Sequence, residues 1–115
     1  MVVYPSAIGS EPEFPEFDSE PQWRQVIIGN GIANGLFMIV ANRTGDEGKL
    51  KFYGSSFISD PYGRVLVRAP RDQEALLIAD LDLDQRRDWL DVFPLLSMSR
   101  PESYGVSRKL HSAVA

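Results

Sequence analysis

Apolar positions along this chain fall into short β-prone runs and two stretches of helical spacing. Val2, Val3 and Tyr4 form a β-prone opening run that Pro5 is expected to stop. Residues 9–20 form a Pro-, Glu- and Ser-rich connection in which Pro12 and Pro15 forbid a helix interior. Trp23, Val26, Ile27 and Ile32 then recur near helical spacing, so the pattern predicts an amphipathic helix over 20–33. Ser19 and Gln22 read as its capping box, Pro21 fits the first turn, and Asn34-Gly35 is the stop. Gly29 and Gly31 each weaken a helix by about 1 kcal/mol relative to alanine, which predicts close packing against a neighbouring backbone there.

The run 36–41 is continuously apolar and predicts a strand buried on both faces. A polar loop over 42–48 leads to a second β region at 52–59. Asp60-Pro61-Tyr62-Gly63 carries the residues of a type I turn, with 64–69 returning as the hairpin partner and Val65 and Val67 on one face. After a turn at 70–73, residues 75–81 predict another strand. Asp82 or Asp84 then caps a short helix carrying Trp89, Leu90 and Phe93, broken by Pro94. Residues 97–115 are weakly patterned and read as an extended tail, leaving 1–96 as the folded part. This order of elements predicts part of a layered α/β structure. A strand buried on both faces needs two covering layers, and one good helix cannot supply both. The missing cover is expected from upstream sequence, a second subunit, or both.

Composition narrows the function classes. The chain has 115 residues, 43% hydrophobic and 24% charged, which is ordinary for a folded domain. Its net charge of −4 argues against binding the phosphate backbone of nucleic acids. No apolar run approaches the roughly 18 residues of a membrane span, and Met1 to Pro5 lack the basic start of a signal peptide, so a cytoplasmic location is expected. There is no cysteine, hence no disulfide, no zinc thiolate and no thiol nucleophile within these residues.

Individual candidate residues carry little chemistry by themselves. His111, the one histidine, is expected to be exposed and inert in the tail. Asp80, Asp82 and Asp84 alternate, but they suit a strand-to-helix junction better than a metal site, having no calcium-loop spacing. The glycines of 29–35 end a helix rather than joining a strand to a helix start, so they fail the context of a dinucleotide fingerprint. No serine sits in a nucleophile elbow. Trp23, Trp89 and Phe93 read as core or helix-interface aromatics.

The ordered set of short motifs is more specific. Tyr4-Pro5-Ser6-Ala7-Ile8-Gly9-Ser10-Glu11-Pro12 comes first, then the helix begun by Trp23 and ended at Ala33-Asn34. Val40-Ala41-Asn42-Arg43-Thr44-Gly45, Phe52-Tyr53-Gly54-Ser55-Ser56-Phe57-Ile58, Asp60-Pro61-Tyr62-Gly63 and Ala79-Asp80-Leu81-Asp82 follow. In this order the set resembles the C-terminal part of the nitrilase superfamily of carbon–nitrogen hydrolases, from Val2 to about Tyr104. The likeness is greatest to the branch of N-carbamoylputrescine amidases and β-ureidopropionases, and the segment 5–12 looks most like the former.

The resemblance implies the C-terminal half of a four-layer α-β-β-α sandwich whose subunits pair through helices, so a homo-oligomer is expected. It implies hydrolysis of a non-peptide C–N bond by a Glu-Lys-Cys triad, with water as co-substrate and no metal or organic cofactor. The family's triad positions lie upstream of the Pro5–Ile8 segment, and Lys49, Lys51 and Lys109 stand in other motifs. The chain alone is therefore expected to be inactive. By the same likeness Pro5, Ser6, Ala7 and Ile8 line the pocket for a small amide or N-carbamoyl substrate, and Glu11 meets a cationic amine end if it faces that pocket. Asn42 and Arg43 take a structural or subunit-contact role, and Arg100-Pro101 with Tyr104 resembles the family's tail. Two alternatives stay open: a non-catalytic association module, and an amidase of β-ureidopropionase-like specificity, whose carboxylate substrate would call for an arginine.

Overall fold

In the computed structural model the described residues are 1–104, and His111 and Lys109 lie outside them. β1 (Val2–Ser6), β2 (Met38–Asn42), β5 (Phe57–Ser59) and β6 (Val65–Arg68) form one sheet in the order β1-β2-β5-β6. β3 (Thr44–Asp46) and β4 (Lys51–Tyr53) form a separate two-stranded ribbon. β1 and β2 are parallel, with Val2 opposite Met38 and Ser6 opposite Asn42, while the remaining pairs are antiparallel.

β1 does not stop at Pro5. The amide of Val2 donates to Phe37 and the carbonyl of Ser6 accepts from Arg43, so even-numbered residues of β1 bond to β2. Pro5 falls on the odd positions, where its missing N–H faces the open edge and no ladder bond is lost. The parallel crossover from β1 to β2 runs through α1 (Glu20–Asn34).

α1 ends as expected at left-handed Gly35, whose amide reaches the carbonyls of Gly31 and Ile32. Its start differs from the predicted capping box. Ser19 already has helical torsions, φ −81° and ψ −8°, and its hydroxyl makes no capping bond. Asp18 accepts from the Glu20 amide instead, at 3.3 Å. Of the two helix glycines, Gly31 is the tightly packed one, since a Cβ there would lie 2.8 Å from Met38 Cγ, whereas Gly29 has open space.

Ile27, Met38, Val40 and Phe57 are the buried core, with Val2, Trp23, Ile28 and Leu36 packed around them. Phe57, fully enclosed, contributes about 2–3 kcal/mol by burial. Trp23 stacks edge-on against Phe57 and Tyr53, at 5.9 and 5.7 Å between ring centres. Val26 points to solvent rather than to this core. The expected burial of 36–41 on both faces is not seen. Met38 and Val40 are buried, but Ile39 is half-buried and Ala41 exposed. Val3, Ile39, Ile58 and Val67 form one register row across all four strands on the face opposite α1. Val3 is 64% exposed there.

The polar loop predicted over 42–48 instead folds with 51–53 into the β3–β4 hairpin. Arg43 braces it, pairing with Glu47 and lying over the Phe52 ring at 4.4 Å. The single β region predicted at 52–59 is split because Gly54 and Ser55 both take positive φ, 55° and 57°. A Cβ at Gly54 would also meet Arg71 O at 2.9 Å. The 57–68 hairpin forms as predicted. Buried Asp60 accepts from the Tyr62 and Arg64 amides and from Arg64 Nε at 2.6 Å, and its carbonyl accepts from Gly63. β6 is an edge, and Val65 on it is exposed.

Residues 75–81 form no strand. They run without ladder partners, with Leu76 85% and Ile78 78% exposed. α2 (Asp84–Val92) follows, its first amide donating to Asp82. Trp89 fastens it to α1 through Nε1 to the Ile32 carbonyl at 2.8 Å, and stacks on Tyr62 and Phe93. Residues 97–104 are turns and a short 3-10 helix at Pro101–Ser103. The radius of gyration, 17.5 Å, exceeds the about 13 Å of a closed domain of this length, so the chain is extended beyond its small core.

Candidate functional site

Parallel strands joined by a helix create a crevice at their carboxyl ends, where the β1-to-α1 connection leaves the sheet. Here that connection is residues 7–19, and the end of β2 beside it is Asn42. The Asn42 side chain uses all its hydrogen-bonding capacity to tie the end of β1 and this connection to Gly54. Its Oδ1 accepts from the Ser6 hydroxyl at 3.1 Å and from the Ile8 amide at 3.0 Å. Its Nδ2 donates to the carbonyls of Ile8 at 3.1 Å and Gly54 at 2.8 Å. Ser56 completes the arrangement, its hydroxyl accepting from the Asn42 amide and donating to the Asn42 carbonyl.

The next residues are held from the other side. Gly9 pairs with Phe52, and a Cβ at Gly9 would lie 2.4 Å from the Lys51 carbonyl, so only glycine permits this approach. The Ser10 amide donates to Lys51 O at 2.8 Å, and Ser10 Oγ accepts from the Lys51 amide. Ser6 and Ile8 are thus half-buried and pinned, with Ala7 exposed between them and Pro5 exposed on the strand edge. Glu11 is half-buried, and its carbonyl closes a turn with the Phe14 amide. The five sequence-predicted pocket residues therefore lie at the end of β1 (Pro5, Ser6) and on the connection that follows (Ala7, Ile8, Glu11), with a fixed backbone around an exposed apex.

Beside this connection, at the start of α1, a cleft of about 510 Å³ opens between Ser10, Phe17, Asp18, Ser19, Tyr53 and Arg71, with Pro15, Glu16, Lys51 and Asp72 completing its wall. Arg71 grips Asp18 through both terminal nitrogens, at 2.6 and 2.9 Å. That guanidinium holds the Asp18 carboxyl below its ordinary value, and Asp18 in turn raises Arg71. Glu20, 2% exposed, is neutralised by Arg24 and Arg68 at 3.1 and 3.0 Å. Burial pushes the Tyr53 phenol above its ordinary 10.0, partly offset by the neighbouring Ser19 hydroxyl, so Tyr53 is protonated at neutral pH. Neither hydroxyl makes a hydrogen bond of normal geometry.

Sequence reading gave Asn42 the structural role that its four side-chain hydrogen bonds show, without naming their partners, and missed Tyr53 and Ser19 as cleft residues. The Asn at a strand's polar end was the available signal for the first. Nothing local marks the other two, which meet only through the tertiary fold. The described residues bring together no group of three or more His, Asp or Glu suited to a metal, and Asp82 is occupied in starting α2.

A family model for carbon–nitrogen hydrolases matches residues 2–91. The chain belongs to the carbon–nitrogen hydrolase family. It is similar to an N-carbamoylputrescine amidase of Arabidopsis thaliana, 35% identical over 114 residues, covering 92% of this chain and 38% of that protein. A citrullinase of Francisella tularensis is likewise 35% identical over 108 residues, covering 90% and 38%. Among solved structures, a carbon–nitrogen hydrolase from Helicobacter pylori superposes with a TM-score of 0.77 at 31% identity, covering 90% of this chain and 39% of that one. The mixed α/β architecture is thus part of the nitrilase-type fold. The chain spans about two fifths of the length of these relatives. No helix among the described residues is long and apolar enough to cross a membrane.

Proposed function

We propose that these residues form the substrate-pocket wall of a carbon–nitrogen hydrolase acting on N-carbamoyl amines or related linear amides. The observation that carries the reading is the clamped connection from Ser6 to Ile8, whose exposed Ala7 apex sits at the carboxyl end of the parallel strands. Fixed backbone beside a reacting carbonyl orients it without further ordering during the reaction. The Glu-Lys-Cys triad implied by the family lies outside the 115 residues. In that chemistry the thiolate attacks the carbonyl, the C–N bond breaks with proton transfer to the departing amine, and water hydrolyses the resulting thioester. The chain by itself is therefore inactive. The enzyme works as a cytoplasmic homo-oligomer on a small molecule.

Charge selects among substrates. Glu11 stands in the connection, and the segment from Pro5 to Gln22 contains no arginine. Arg71 comes alongside in space, but both its terminal nitrogens are committed to Asp18 and leave little for a substrate carboxylate. This favours a cationic or neutral substrate over the carboxylates of β-ureidopropionase-like enzymes.

The test is expression in frame with the coding sequence upstream of Met1, followed by ammonia release from N-carbamoylputrescine and N-carbamoyl-β-alanine. Faster turnover of the first is expected, and Glu11→Gln should raise KM for the cationic substrate selectively by about tenfold. Equal loss on both substrates refutes the role of Glu11. Absence of hydrolysis on either, with a soluble and stable product of these residues alone, supports the association-module alternative, for which the open sheet face is the supporting feature.

A further inference from the structure

Two strand-forming backbones stand without partners among the described residues, and the charges beside them are opposite. The first is the segment 75–81. Its burial alternates with the period of a strand, since Leu77, Ala79 and Leu81 are half-buried whereas Leu76, Ile78 and Asp80 are exposed. None of its backbone amides or carbonyls bonds to another described residue. It contains neither proline nor glycine, so nothing in it interrupts a ladder. Acids stand at its ends, Glu74 on one side and Asp80 and Asp82 on the other. None of the three joins an ion pair among the described residues.

The second backbone is the outer border of β6. The Arg64 carbonyl and the Ala69 amide turn inward, to Asp60 and Ser56, so by alternation the backbone groups of Val65 and Arg68 face outward. The register shift between Ile58 and Ser59 leaves Leu66 as the extra residue between them. Two cations flank this border. Arg64 reaches Asp60 through Nε with its side chain 62% exposed, and Arg68 reaches Glu20 through one terminal nitrogen. Each keeps further N–H groups for a partner. The two backbones do not meet within one chain. Ala69 and Pro70 are bonded to Ser56 and Ser55, and the Arg71 carbonyl to Thr44, so the chain leaves β6 on the β5 side. Like charges oppose the self-pairings. Antiparallel β6 against a second β6 sets Arg64 opposite Arg68, and two segments paired about Ile78 set Glu74 opposite Asp82.

We propose that a second copy of this chain supplies the partner, its 75–81 segment adding antiparallel to the outer border of β6 with its acidic ends against Arg64 and Arg68. Such an addition satisfies the outward groups of Val65 and Arg68 and one border of the segment together.

The test is amide hydrogen exchange by NMR, with sedimentation, on the 115-residue chain over a concentration series. Exchange at the Val65 and Arg68 amides should slow about tenfold as association saturates, in step with amides of 75–81. Glu74→Lys with Asp80→Lys, which removes no bond of the fold, should raise the dissociation constant about tenfold, and added salt should weaken the parent likewise. Leu77→Pro and Ile78→Pro, made separately, delete a donor from each border of the segment in turn, and one of them should abolish the slowing. Unfolding midpoints within a few degrees of the parent establish that the variants are folded, and the parent's exchange decides the matter where one is not. Association with unchanged exchange at Val65 and Arg68 overturns the proposal, because the contact then lies on the open sheet face or between two 75–81 segments. So does association that salt strengthens, that the lysines leave unaltered or that survives both prolines, and so does a chain that stays monomeric.

Discussion

Replacing Asn42 by alanine removes four side-chain hydrogen bonds at once, to the Ser6 hydroxyl, to the amide and carbonyl of Ile8, and to the Gly54 carbonyl. A net value of about 1 kcal/mol per bond sets an upper limit of about 4 kcal/mol. All four are only partly buried, so water recovers some of the loss, and about 3 kcal/mol is expected. The effect is local first. The connection from Ser6 to Ile8 detaches from the end of β2 before the sheet itself gives way, because the Val2–Phe37 and Ser6–Arg43 backbone bonds remain. Hydrogen exchange at the Ile8 amide should accelerate about a hundredfold, while amides within β2 and β5 change far less. Urea unfolding measures the global share. Asn42→Asp is a sharper probe, because it keeps the acceptor side but turns a carboxylate oxygen toward the Ile8 and Gly54 carbonyls. It should destabilise at least as much as alanine at neutral pH and recover as acid protonates the new carboxyl. Ile8 exchange unaltered in Asn42→Ala, together with a stability change under about 0.5 kcal/mol, would refute the clamp.

Two further outcomes follow from the surface. Asp18 has a folded pKa below its ordinary 3.8 because Arg71 favours the carboxylate, so its contribution is complete above about pH 4 and disappears as pH falls through the folded value. The pair is nearly half exposed, which limits the effect to under about 1 kcal/mol. Asp18→Asn should flatten that acid limb, and an unchanged pH profile would reject the assignment. The exposed Leu76 and Ile78, with the row through Val3, should make the isolated chain self-associate at micromolar concentration in sedimentation. Replacing Leu76 and Ile78 together by aspartate should raise the concentration needed about tenfold, whereas a monomeric parent with a sharp two-state transition contradicts the expectation.

What was legible in the sequence was local. The Asp60-Pro61-Tyr62-Gly63 turn is specified by its own four residues, and the structure reproduces it down to the Asp60 carboxylate accepting from the Tyr62 and Arg64 amides. α1 was legible from apolar spacing and from Gly35 at its end. The start of α1 at Glu20 was legible too, but not its capping bond, because Ser19 and Asp18 are both good capping types and it is Asp18 that accepts from the Glu20 amide. The partners of the clamp were not readable, since Asn42 reaches Ser6 and Ile8 across 36 and 34 residues and no periodicity encodes such a meeting. The strand expected at 75–81 fails for a different reason. Its apolar run is real, but a strand exists only when another backbone completes its ladder, and none among the described residues does.

The proline of β1 also determines where this sheet can grow. Of the backbone groups β1 turns outward, the donor at position 5 is missing, so an incoming strand would meet a gap in its ladder. The opposite border, along β6, has no proline and presents Val65 to Arg68 unpaired. Addition of a stray strand is thereby disfavoured along β1 relative to β6. A chain that pairs wrongly should do so through β6, and a proline placed there at an outward-facing amide should suppress such pairing while leaving the carboxyl-end cleft intact.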